Sequence, residues 1–269
     1  MELERMCLEI RQEIAKYGYL SGRGHISSSL SLVEIMVALY FGSGIDIRKI
    51  KENSPDRDRV ILSKGHGGLA LYITLVKAGI LGEELLSNFA SIQGSLSTHP
   101  VAGSGNGIEM SAGSLGQGIG FGCGVALSGK ISNRGYMTYV IVGDGELQEG
   151  SNWESMLFAS QMELDNLVLI VDKNGLQITG SVESIVSLDP LIMKLKAFGF
   201  ETFEVDGHDL NDIRRALEYS DPGHPKAIIA NTIKGKGLSF IEGKNGWHGK
   251  GLTLEQYDMA MKELRINNG

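Results

Sequence analysis

Asp144 sits between Gly143 and Gly145, directly after the apolar run Tyr139-Val140-Ile141-Val142. Asn174 follows a second such run, Leu167-Val168-Leu169-Ile170-Val171. A carboxylate and an amide oxygen brought to one place suit Mg²⁺, or Ca²⁺, because such a cation takes few protein oxygens and keeps others from a phosphate. The glycines beside Asp144 let backbone approach a bound diphosphate closely. By itself Gly-Asp-Gly is a common tight turn. Four of the six histidines, His25, His66, His99 and His248, stand in loops beside glycine or serine. A lone loop histidine usually means a solvated side chain. These four lack His-x-x-x-His spacing and a cysteine partner, so a histidine metal centre is not expected. Neutral imidazoles can instead donate to and accept from sugar hydroxyls and move protons near neutral pH. Gly113-Ser114-Leu115-Gly116-Gln117-Gly118 opens a glycine-rich helical pattern, leaving its N–H groups available to a ligand or its backbone free to pack closely.

The elements around these residues explain why they should meet. Both apolar runs are β-branched and about five residues long, the pattern of parallel strands buried on both faces. Between them, residues 149–163 place Trp153, Met156, Leu157 and Ser160, with Leu164 just beyond, at helical spacing. The resulting βαβ crossover puts both strand ends at one edge of the sheet, where open α/β sheets bind ligands. Elsewhere the periodicity predicts helices over 2–20, 31–41, from about Leu69, within 113–127, over 209–219 and over 253–264. Strands are predicted over 59–62, 200–205 and 226–232. Alternation of strands and helices argues for one α/β domain: a doubly wound, mainly parallel sheet with helices on both faces, spanning residues 1–269.

At 269 residues, with 42% hydrophobic and 21% charged residues, the chain has the composition of a soluble globular protein with an ample core. A net charge of −7 gives no electrostatic basis for binding nucleic acid or a membrane surface. No apolar stretch is long enough to span a bilayer, and the N-terminus lacks a signal-peptide pattern. Cys7 and Cys123 fall in helical patterns and are expected to be buried and reduced. A cytoplasmic location is expected. The 37 glycines are about twice the usual share and cluster in short groups, which implies many close backbone approaches.

With these residues in view, the chain resembles the transketolase family. The stretch Gly143-Asp144-Gly145-Glu146-Leu147-Gln148-Glu149-Gly150-Ser151-Asn152-Trp153, closed by Asp172-Lys173-Asn174-Gly175-Leu176, is similar to its thiamine diphosphate motif, and the likeness runs from about residue 5 to residue 250. The resemblance implies a thiamine diphosphate-binding fold, with Asp144, Asn174 and the Leu176 carbonyl holding Mg²⁺ and Gly145 meeting the diphosphate. It implies that His66, in Ser63-Lys64-Gly65-His66-Gly67, contacts the diphosphate. His25 and His99 would face the donor sugar, and His248, in Gly246-Trp247-His248-Gly249, would touch both diphosphate and substrate. Gly113, Ser114 and Leu115 would lie against the aminopyrimidine. Glu149 reads as a first-turn acid favoured by the helix dipole; in the family the matching glutamate lies at the subunit interface near the activating carboxylate. The sequence departs from the family's pattern at Ser27 to Ser29 and at Thr98, where glycines are usual, and both departures touch the donor site.

Thiamine diphosphate does its own organic chemistry; protein supplies geometry and proton control. In the family, the glutamate that bonds the pyrimidine lies in a following pyrimidine-binding domain, and a C-terminal domain comes after that. Neither is expected here. The resemblance therefore implies the N-terminal subunit of a split transketolase, moving a two-carbon ketol unit from a ketose to an aldose, with sugar or sugar-phosphate substrates. A second chain would carry the missing domains, giving an α2β2 assembly. Two alternatives keep the fold: a two-carbon transferase of a specialised pathway or a 2-oxo acid dehydrogenase α subunit, and a non-catalytic cofactor-binding module.

Overall fold

The structure, a computed structural model, describes residues 2–42 and 44–266. It opens with α1 (Glu2–Leu20), which buries Cys7, Ile10, Ile14 and Tyr17 along one face. Two single-turn helices, α2 (Ile26–Leu30) and α3 (Val33–Val37), follow, and α3 runs into a π-helical turn at Ala38–Gly42. After α4 (Ile47–Lys51) come β1 (Arg59–Leu62), α5 (Gly68–Lys77) and α6 (Gly118–Ile131). The central unit is β2 (Thr138–Gly143), α7 (Gly150–Gln161) and β3 (Leu167–Lys173). Then come α8 (Val182–Val186), α9 (Leu191–Ala197), β4 (Glu201–Asp206), α10 (Leu210–Glu218), β5 (Lys226–Asn231) and α11 (Leu254–Ile266).

Among the described residues the strands form one sheet of five, all parallel, in the order β1-β2-β3-β5-β4. Successive side chains alternate between two cores. Tyr139, Ile141, Val168, Ile170, Ile228 and Ala230 join α1, α2, α3, α5, α10 and α11 on one side. Val140, Val142, Leu169, Val171, Ala227 and Ile229 join α6, α7 and α9 on the other. Helices thus cover both faces, which is why β2 and β3 read as unbroken apolar runs. The expected doubly wound sheet is the one observed.

Several local expectations shift. The segment around His25 to Ser29, expected as loop, is the turn of α2, whose serines are buried. The short helices α4, α8 and α9 leave no clear mark in the sequence, because five to seven residues give periodicity too little length to register. On α7 the buried face runs through Asn152, Met156 and Ala159, while Leu157 is 59% exposed. The expected apolar stripe therefore holds at Met156 and fails at Leu157, which faces outward. Cys7 and Cys123 are buried free thiols, as expected. No helix of the described residues is long and apolar enough to cross a membrane.

Candidate active site

The C-terminal ends of four neighbouring strands deliver the site. From β1 come Ser63 to His66, from β2 Asp144, from β3 Asp172 and Asn174, and from β5 Lys234. The β2–β3 register pairs Gly143 with Asp172. Asp144 and the Asn174 turn are therefore adjacent, and the Gly175 N–H donates to Asp144 Oδ2 at 2.6 Å. The βαβ argument from sequence is realised in this one hydrogen bond.

The four loop histidines come together although the chain separates them widely. His25 lies 4.7 Å from His248, 5.1 Å from His99 and 5.8 Å from His66 between ring centroids, and His66 lies 5.2 Å from His248. Burial, His99 and the lysines Lys234 and Lys64 hold His25 down to about 4. Burial and Lys234 hold His248 to about 4 as well. Burial, then Lys64, keeps His66 well below the ordinary imidazole value, and burial lowers His99. The cluster is neutral at physiological pH. Buried His25 Nδ1 and His248 Nδ1 have no protein partner, an arrangement that invites a polar ligand. Among the described residues no group of three or more histidine, cysteine and carboxylate side chains is placed to hold a metal ion.

Beneath the cluster lies an ion pair that the sequence patterning does not single out. Lys64 and Asp172 are both fully buried and in contact. Asp172 also accepts from Ser31 Oγ at 2.7 Å and from Thr232 Oγ1. Burial alone would raise its carboxyl; Lys64 overcomes that and holds it below the usual range. Asp144 differs. Burial and the Asp172 charge push it up to about 6, against the N–H groups of Gly175 and Gly145. A buried carboxylate left so poorly compensated has the chemistry of a cation ligand. Asn174 Oδ1 accepts from Leu176 N–H at 3.1 Å, and the Leu176 carbonyl accepts from Lys234 Nζ at 3.2 Å. Each of these oxygens keeps a second lone pair. Burial, then Lys64, lowers Lys234 to about 8.

The glycine positions describe a cradle. A Cβ at Gly145 would come 3.1 Å from Gln177 Oε1, itself a buried oxygen without a partner. A Cβ at Gly65 would strike the Ala112 carbonyl carbon at 2.9 Å, so this glycine lets the Lys64 loop lie against the Gly113 loop. Gly113 itself has φ +144° and stands beside the His99 ring. Gly113 and Ser114 are exposed and Leu115 is half-buried. All three precede α6 rather than opening it.

Glu149 stands exposed at the N-cap position of α7, and its side chain makes no capping hydrogen bond. The buried glutamate of the motif is Glu146, which accepts from Ser63 Oγ, from Gly116 N at 2.9 Å and from Gly143 N at 3.1 Å. It ties three site loops together. Its signal in the sequence is its place inside the motif, one turn past the strand end.

A profile described as transketolase, thiamine diphosphate binding domain, matches residues 14–268. The chain belongs to the transketolase family. Among its relatives, an apulose-4-phosphate transketolase subunit of Actinobacillus succinogenes is 41% identical over 98% of this chain and 96% of that protein. A 6-deoxy-6-sulfo-D-fructose transketolase subunit of Clostridium sp. is 41% identical over 94% of this chain and 91% of its own. The solved transketolase of Leishmania mexicana superposes with a TM-score of 0.89 at 28% identity, covering 98% of this chain and 41% of that one. The family member described here thus matches subunit-sized relatives nearly end to end and spans about two fifths of that solved transketolase.

Proposed function

We propose that this chain is the diphosphate-binding, N-terminal subunit of a split transketolase, transferring a two-carbon ketol unit from a ketose to an aldose. The observation that carries the reading is the convergence of His25, His66, His99 and His248 from four separate loops into one neutral cluster. Lys64 and Lys234 lie within its electrostatic reach, and through them it is linked to Asp144. Bound thiamine diphosphate supplies a nucleophilic thiazolium carbon; the residues here bind, orient and hold protons. Asp144, Asn174 and the Leu176 carbonyl hold Mg²⁺, and Gly145 lets its backbone meet the diphosphate. His66 serves the diphosphate, His25 and His99 the donor hydroxyls, and His248 both. Gly113 to Leu115 face the pyrimidine. The unpartnered Nδ1 atoms of His25 and His248 and the unpartnered Gln177 Oε1 support a polar occupant between them.

The activating glutamate, in this reading, comes from a second chain that carries the pyrimidine-binding domain. Relatives named as subunits and matched nearly end to end favour that arrangement. So do exposed apolar side chains on the packed pair α6 and α7, Phe121, Leu157 and Phe158, with Met162 at the C-terminal cap of α7. Free, buried cysteines accord with the cytoplasm. Both relatives are named for ketoses bearing an anionic group, and an anionic ketose is the donor class proposed here. The test is a ketol-transfer assay on the purified chain, alone and mixed with a candidate pyrimidine-domain subunit from the same organism. Turnover should require both chains. Robust turnover by this polypeptide alone would overturn the split-enzyme reading.

A further inference from the structure

The strap that follows β5, residues 232–236, carries Lys234 to the histidine cluster, and it is held from two sides. On the site side, Thr232 Oγ1 donates to Asp172 and Gly235 N donates to Ser27 O at 2.8 Å. On the far side lies a buried group outside the site. Ile233 N–H donates to His208 Nε2 at 2.9 Å, and Arg11 Nε donates to the Lys236 carbonyl at 3.2 Å. These two contacts bracket Lys234. Both converge on Glu34, whose Oε2 takes Arg11 Nη2 at 2.8 Å and His208 Nδ1 at 2.9 Å, while its Oε1 lies 2.7 Å from the same Nη2. A backbone N–H can only donate, so Nε2 must accept; in the neutral ring, Nδ1 then carries the proton and donates to Glu34. The tautomer of His208 is fixed by its surroundings.

We propose that Arg11, Glu34 and His208 form a clamp that positions Lys234 beside the histidine cluster, with His208 as the positioning residue on which the strap's geometry turns. His208 touches neither substrate nor cofactor. It acts through Ile233, and its effect is to keep the Lys234 ammonium where it bears on His25 and His248. The geometric claim stands without the transketolase reading; only the catalytic consequence rests on it.

The experiment compares His208→Leu, which loses both bonds, with His208→Gln, whose side-chain oxygen can still accept from Ile233. Amide hydrogen exchange on the full chain should quicken about tenfold or more at Ile233 and Gly235 in His208→Leu, while β2 and β3 amides stay as they were. NMR titration should show His25 and His248 taking protons at higher pH, as Lys234 withdraws. His208→Gln should restore both readings. Glu34→Gln, which keeps the shape and weakens both arms of the clamp, is measured in parallel and should move the same amides. Exchange that rises equally across β2, β3 and the strap, or histidine titrations that do not move, would overturn the proposal. A chain that passes these tests and yet supports no ketol transfer with its partner would count against the functional reading alone.

Discussion

At the scale of single residues, charge and burial set the expectations. Asp144→Ala removes the one poorly compensated carboxylate at the strand edge, and the fold should survive because the residue lies beyond β2. Calorimetry of thiamine diphosphate with Mg²⁺ on the assembled enzyme should show cofactor affinity falling at least tenfold. His25→Ala should lower kcat/KM for the ketose by roughly one to three orders of magnitude, the range of a positioned acid–base group, with cofactor affinity nearly unmoved. His66→Ala should do the reverse. Lys64→Met leaves the fully buried Asp172 without its counter-charge and should cost about 3–5 kcal/mol in urea unfolding, because breaking one side of a buried pair strands the other. Acid should also destabilise the chain. His25 and His248 are held near 4, below the ordinary value of 6.5, so between those pH values the unfolded chain binds protons that the folded one refuses. Their contribution is present above about 6.5 and lost as pH falls, with His66 displaced in the same direction. Asp144, raised from 3.8 to about 6, works the opposite way over that interval. Glu146 and Asp58, also raised by burial, act as Asp144 does, but four lowered imidazoles oppose these three carboxyls, so unfolding free energy should fall between pH 7 and pH 5.

At the scale of elements, close packing makes small residues decisive. Gly122 on α6 faces β2, and a Cβ there would lie 2.4 Å from Val140 Cγ2. Gly122→Ala should force α6 off the sheet and cost about 1–3 kcal/mol, the usual range for overpacking, visible as a lowered melting temperature. Gly124, whose Cβ would meet nothing within 4 Å, is the control. Gly124→Ala should be neutral or slightly stabilising in this isolated chain, because alanine favours a helix over glycine. The two glycines look alike in sequence. Only the docking angle of α6 against β2 separates them.

At the scale of the whole molecule, the split-enzyme proposal assigns the exposed apolar side chains on α6 and α7 to the partner subunit. Leu157→Asp should leave this chain folded and weaken its association with the pyrimidine-domain subunit, as a charge at the core of a permanent interface does. Sedimentation of the mixture should show the wild-type pair as a heterotetramer and the variant as separate chains. Ketol transfer should be lost in proportion to assembly.

The sheet, the crossover and the edge at which chemistry happens were legible in the residues alone. Unbroken β-branched runs of this length read as strands buried on both faces, and a right-handed crossover leaves Asp144 and Asn174 at one end. The four loop histidines were marked too, although composition could not say that they meet, and their assignment came from family resemblance. Their convergence to within 6 Å is a tertiary fact, since four loops of unrelated length must be placed by the packing of α1, α2 and α5 on the sheet. The supporting charges were less legible still. Lys64 and Asp172 stand in short polar stretches that read equally well as solvated loops, and the sequence singled out Glu149 rather than the buried Glu146. What distinguishes them is desolvation. Burial makes a charge demand a partner, and burial is decided by the neighbours that folding brings, not by the residues adjacent in the chain.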